Sequence, residues 1–107
     1  MANVYKNAKV DLTTTDITTL YTCPTATTAI IKSILVSEDS GNADTITVTI
    51  TDSASAVFSV FKVKAVGANT TVELLTGPLV VEESEVVKVT AATANRLHIV
   101  ASLLEVS

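Results

Sequence analysis

Residues 45–51 read TITVTIT, Thr45 through Thr51. Isoleucine or valine alternates with threonine at every step. In an extended strand this sends the apolar side chains to one face and the hydroxyls to the other. A helix would scatter the same residues around its circumference. All seven are β-branched, stiff at χ1 and suited to a pleated surface. One face is buried and one is wet, which is the signature of an antiparallel sheet.

The same chemistry extends in both directions. Of 107 residues, eighteen are threonine, sixteen valine and seven isoleucine, and tryptophan is absent. Upstream lies the clearest loop, residues 37–44 (SEDSGNAD), dense in turn formers. Before it, residues 28–37 are nearly all apolar and predict a strand covered on both faces. Residues 4–13 and 17–23 predict two more strands, and Pro24 ends the second because it cannot donate to a ladder.

Downstream, residues 56–66 place Val57, Phe61, Val63 and Ala65 on one face and Phe58, Val60, Lys62 and Lys64 on the other. Short strands follow at 70–76, 79–81 and 86–91, divided by turns at 67–69, at Gly77 and Pro78, and at the acidic stretch 82–85. After a turn at 92–95, residues 97–106 close the chain with apolar side chains on both faces. No helical period or linker appears. The reading is all-β: a single antiparallel β-sandwich or jelly roll of about eight strands, one domain over residues 1–107. A parallel α/β fold is excluded, since no crossover helices are available.

Composition adds an expectation about assembly. Apolar residues make up 48% of the chain and charged residues 17%, against an ordinary charged share of about a quarter. A small domain has little interior for so many apolar side chains, so part of them is expected to be covered by another subunit. A closing strand apolar on both faces at a sandwich edge needs such cover. The sequence therefore predicts a homo-oligomer, a trimer, whose interface comprises Leu97, Ile99, Val100, Leu103, Leu104 and Val106, with the N-terminal strand as a second contributor. Net charge is −4 and the seven basic residues are scattered, which predicts neither a nucleic acid nor a membrane as partner. The first residues lack an apolar signal-peptide core, and the lone Cys23 suits a reducing cytosol.

Candidates for chemistry are few. His98 is the only histidine, within the last strand, and no metal or triad partners can be read around it. Cys23 has no nucleophile motif and reads as a small buried hydrophobe. Glu38, Asp39 and Asp44 offer oxygen ligands for Ca²⁺, but their spacing lacks the alternation of an EF-hand loop. Glu82, Glu83 and Glu85 could serve as an acid–base pair, yet they read as a charged turn. Tyr5, Tyr21, Phe58 and Phe61 are the only aromatics, two of them expected in the core, too few for a sugar or base platform. The expectation is a non-enzyme with no catalytic residue, metal or cofactor.

Two runs carry a resemblance: TTLYTCPTATTAIIKSILVSEDSGNADTITVTITDSA and LLTGPLVVEESEVVKVTAATANRLHIVASLLEVS. Tyr21, Pro24, the loop at 41–43, Gly77 and Pro78, residues 95–97 and the closing 102–105 set the pattern. With them the chain resembles small β-sandwich virion proteins of tailed bacteriophages. It departs from the pattern at Thr25 and Ala26, where a glycine is expected, and at Glu83–Ser84–Glu85, where a Gly-Asp pair is expected. The resemblance implies a capsid decoration (cement) protein on the virion surface, assembled in the host cytoplasm and bound to the major capsid protein. The acidic balance suits an outer surface better than a DNA-facing one. Within the same class the alternative is a neck, tail or fibre component. Outside it, the alternative is a carbohydrate-binding adhesion module.

Overall fold

The computed structural model describes residues 3–107. Nine strands follow in chain order: β1 (Asn3–Asp11), β2 (Thr18–Thr22), β3 (Thr28–Glu38), β4 (Asp44–Thr51), β5 (Val57–Val66), β6 (Thr71–Glu73), β7 (Leu79–Val81), β8 (Val86–Ala91) and β9 (Leu97–Val106). They form two antiparallel sheets. The five-stranded sheet runs β1-β9-β3-β6, with β7 also on β3; the four-stranded sheet runs β2-β8-β4-β5. β6 and β7 pair with different stretches of β3 and act as one interrupted strand. Counted that way, the chain winds eight strands into two sheets with its first and last strands side by side, which is the jelly-roll path.

The alternation at residues 45–51 holds. Ile46 and Val48 are fully buried, and each threonine of the stretch is half-buried on the opposite face. Between the sheets they meet Val87 and Val89 of β8, Ile34 and Val36 of β3, and Leu97, Ile99 and Ala101 of β9. Every one of these is β-branched, leucine or alanine, so the core is built of small, stiff side chains.

Three expectations change. β3 is not covered on both faces: Ala29, Ile31, Ile34 and Val36 are enclosed, while Lys32 and Leu35 are exposed. A bulge between Ile31 and Ser33 shifts the register against β9 and returns Ile34 to the core side. The Glu73 carboxylate fills the gap, accepting from the Ile34 N–H (2.8 Å) and the Ser33 hydroxyl.

The second change concerns the faces of residues 56–66. β5 breaks register twice against β4, so neither face is continuous. Val57, Phe58 and Val63 are exposed, and Phe61 only packs partly against the core. Of the aromatics, Tyr21 is the buried one.

The third concerns β9, which is not an edge. It lies between β1 and β3 and pairs with both over its whole length. Leu97, Ile99 and Leu103 face the other sheet and are at most 2% exposed. Side chains closed inside the sandwich reach no partner. Of the six residues expected at an interface, only Val100, Leu104 and Val106 point outward.

Candidate functional site

Cross-strand register decides what the outer face of the five-stranded sheet presents. Tyr5 of β1 lies opposite Leu104 of β9, Leu104 opposite Ile30 of β3, and Ile30 opposite Val80 of β7. Directly opposed residues share a face, so four apolar side chains form one row across four strands. Tyr5 and Val80 at its ends are the most open, at 74% and 53%. Val106 borders the row between Asn3 and Thr28. The Lys32 ammonium stands 5.5 Å from the centre of the Tyr5 ring, within cation–π range. Beside them is an open hollow of about 300 Å³ lined by Tyr5, Lys6, Asn7, Lys32, Ser102 and Leu103.

The middle of the face is polar, with Asn7, Ser102 and Ser33 in line. At the far end, apolar side chains return with Val100 opposite Leu35. His98 follows: its Nε2 lies 3.2 Å from Asp11 and its Nδ1 lies 3.4 Å from Asp39. The imidazole is thus held between the end of β1 and the start of the loop after β3.

The remaining candidates are engaged with the main chain. Glu38 is 2% exposed. Its carboxylate accepts N–H bonds from Ser40, Gly41, Asn42 and Asn69 at 2.9–3.1 Å, together with the Ser40 hydroxyl. Burial opposes its charge, but the Ser40 hydroxyl and these amides outweigh it and lower its pKa to about 2. Glu38 therefore organises the loop from inside. Asp44 does the same nearby, accepting from the N–H groups of Thr45 and Thr93. Asp39 is taken up with His98. The three carboxylates weighed as Ca²⁺ ligands take separate tasks, and among the described residues no group of His, Cys, Asp and Glu has metal-holding geometry.

Glu82, Glu83 and Glu85 form a turn. Glu85 accepts from the Glu82 N–H at 2.8 Å, and Glu83 accepts from the Ala26 N–H at 3.0 Å. Ala26 and Ser84 both have positive φ, 57° and 68°. These are the places where the sequence departs from a glycine-bearing pattern, and the backbone still adopts the conformation glycine favours. Cys23 is buried, donates to the Thr27 carbonyl at 3.3 Å, and has its pKa raised by burial. It is closed in behind β2 while His98 faces out from the other sheet, so the two do not combine.

No family model matches the chain, and no curated protein is significantly similar to it.

Sequence reasoning missed three carboxylate roles. Glu38 continues the inward alternation of Ile34 and Val36, and Glu105 continues that of Leu97 to Leu103. An acidic residue at a core-facing position just before a turn or strand end was the available signal. Glu73 gave none, because its role depends on a bulge in a strand far away in sequence.

Proposed function

We propose that this chain is a bacteriophage virion structural protein that decorates and reinforces the capsid. The observation that carries the reading is the row Tyr5–Leu104–Ile30–Val80 across the outer face of the five-stranded sheet. A patch of apolar side chains rimmed by Asn7, Ser102 and Lys32 is the composition of a protein contact rather than of a reaction site. The jelly roll itself is common among viral coat and lectin domains, and the resemblance of the chain to small phage virion proteins favours the former. Tyr5 and Phe58, the exposed aromatics, lie on different sheets, which gives a sugar no shared platform.

The mechanism is mechanical. A rigid sandwich laid over the seams between capsomers adds buried area at every copy, each contact modest and the sum large. The partner is the major capsid protein, and the site is the outer surface of the head.

Quantitative mass spectrometry of purified virions tests this. A copy number comparable to that of the major capsid protein is the expected result. A dozen copies or so would instead indicate the neck, tail or fibre, and absence from particles would overturn the virion assignment altogether.

A further inference from the structure

The sandwich has four sheet edges, and three are blunted. β5 breaks register twice, and Val63 within it adopts φ 52°, its N–H turned to the Thr47 hydroxyl at 3.1 Å. β2 has five residues and a register break between Thr19 and Tyr21. The third edge is cut into β6 and β7, three residues each. Short strands and bulges are two of the means by which sheets stop further strands from adding. β1 uses neither: its nine residues pair with β9 from Asn3–Val106 to Asp11–His98 in unbroken register, without proline.

The direction of its free groups can be read from the ladder. The Leu12 N–H, just past β1, donates to Leu97 of β9 at 3.0 Å. Alternate residues of an antiparallel strand turn both main-chain groups to the same side. Val4, Lys6, Ala8 and Val10 therefore bond β9, while Tyr5, Asn7 and Lys9 present N–H and C=O to the open edge. Asp11 does so in part, its carbonyl being taken by Thr13.

We propose that β1 pairs antiparallel with β1 of a second copy across a two-fold axis at Asn7, so that one continuous sheet runs through both subunits. A two-fold normal to the sheet keeps the faces aligned only if odd residues meet odd and even meet even. Centred on Asn7, the register uses the whole strand. Tyr5 faces Lys9 of the partner subunit, Val4 faces the partner's Val10, Lys6 faces the partner's Ala8, and Asn3 faces the partner's Asp11. No like charges are opposed. Moving the axis to Lys6 sets two ammonium groups against each other, and moving it to Ala8 leaves Asn3 and Val4 unpaired. Val4, on the core side of the sheet yet 47% exposed, gains the partner's Val10 as a β-branched neighbour in the Asn7 register. The stoichiometry is two, in place of the trimer expected from sequence. This contact uses the edge of the sheet and is independent of the face assigned to the capsid.

Size-exclusion chromatography with light scattering at tens of micromolar tests the pairing. A dimer mass is expected, and a monomer or trimer mass overturns it. Asn7→Lys places two charges at the axis while its side chain stays in solvent; it should give a folded monomer, and a folded dimer would refute the register. Asn7→Cys should form a disulfide-linked dimer on oxidation and Lys9→Cys should not, because only position 7 meets itself at about 5.5 Å between Cα atoms. Amide exchange on the wild type gives a readout that needs no variant: on dilution, Tyr5, Asn7 and Lys9 should lose protection while Ala8 and Val10 keep theirs. Equal behaviour of the two sets would also overturn the proposal.

Discussion

Tyr21 donates a 2.5 Å hydrogen bond to Glu105, 84 residues later, and so ties β2 of one sheet to β9 of the other. The opposite carboxylate oxygen of Glu105 lies 3.3 Å from the Lys6 ammonium. Burial first, and the hydrogen bond to Glu105 second, hold the Tyr21 phenol far above its ordinary pKa. The phenol therefore stays protonated and keeps donating throughout any usable pH range. A side chain that clamps two sheets at one end of a sandwich adds to stability without taking part in chemistry.

Tyr21→Phe removes the clamp and leaves Glu105 with Lys6 alone. Hydrogen bonds to charged groups contribute about 1.5–3 kcal/mol, and the loss should fall in that range. Urea unfolding followed by circular dichroism measures it. A change below about 0.5 kcal/mol would mean that water replaces the phenol without penalty.

Acid sensitivity should centre on Glu38. Its pKa is about 2 in the folded chain against 4.5 for the ordinary carboxyl. A depressed pKa means the folded state binds the proton less readily than the unfolded one, so the stabilisation is complete above about pH 4.5 and disappears as pH falls towards 2. Glu73, also lowered despite burial by the Ser33 hydroxyl and the Ile34 and Leu75 amides, acts in the same direction. Glu38→Gln lowers stability at pH 7. The gap between wild type and variant should narrow steadily from pH 4.5 to pH 2. A gap independent of pH would show that the charge of Glu38 contributes nothing.

The fold was legible because its signal is local. Period-two alternation at residues 45–51 needs no knowledge of the partner strand, and Pro24, the 37–44 loop and Gly77 with Pro78 punctuate the chain by their own chemistry. What was not legible depends on neighbours. The bulges in β3 and β5 shift which residues face inward, so counting by two fails past Lys32 and across residues 56–66. The edge or centre position of β9 is set by β1, a strand at the opposite end of the sequence. That is why Leu97, Ile99 and Leu103 read as surface when they are core, and why β1 rather than β9 is the open edge.

Strained backbone should be relieved by glycine. Val63 at φ 52° and Ala26 at φ 57° lie in the left-handed region, which costs L-residues roughly 1–2 kcal/mol. Glycine gives back part of that gain through the greater freedom of the unfolded chain. Ala26→Gly and Val63→Gly should each stabilise by about 0.5–1 kcal/mol, seen as a melting temperature a few degrees higher. For Val63 little packing is lost, since its side chain is 60% exposed. A lower melting temperature in both variants would show that the side chains contribute more than the strain removes.

Adjacent leucines in β9 should separate folding from docking. Leu103 is 2% exposed and belongs to the core, whereas Leu104 faces outward in the row between Tyr5 and Ile30. Leu103→Asp buries a carboxylate on the core side of the sheet, where the cation opposite it, Lys6, is already engaged by Glu105; the cost should reach about 3–4 kcal/mol, a large share of the stability of a domain of this size. Leu104→Asp leaves the core intact, so circular dichroism and melting should stay close to wild type. On the capsid reading, the same variant puts a charge in the centre of the docking row and should be lost from purified particles or bind them much more weakly. Wild-type occupancy with Leu104→Asp would remove the outer face of the five-stranded sheet from consideration as the capsid contact. Unfolding by Leu104→Asp would instead show that this side chain belongs to the interior.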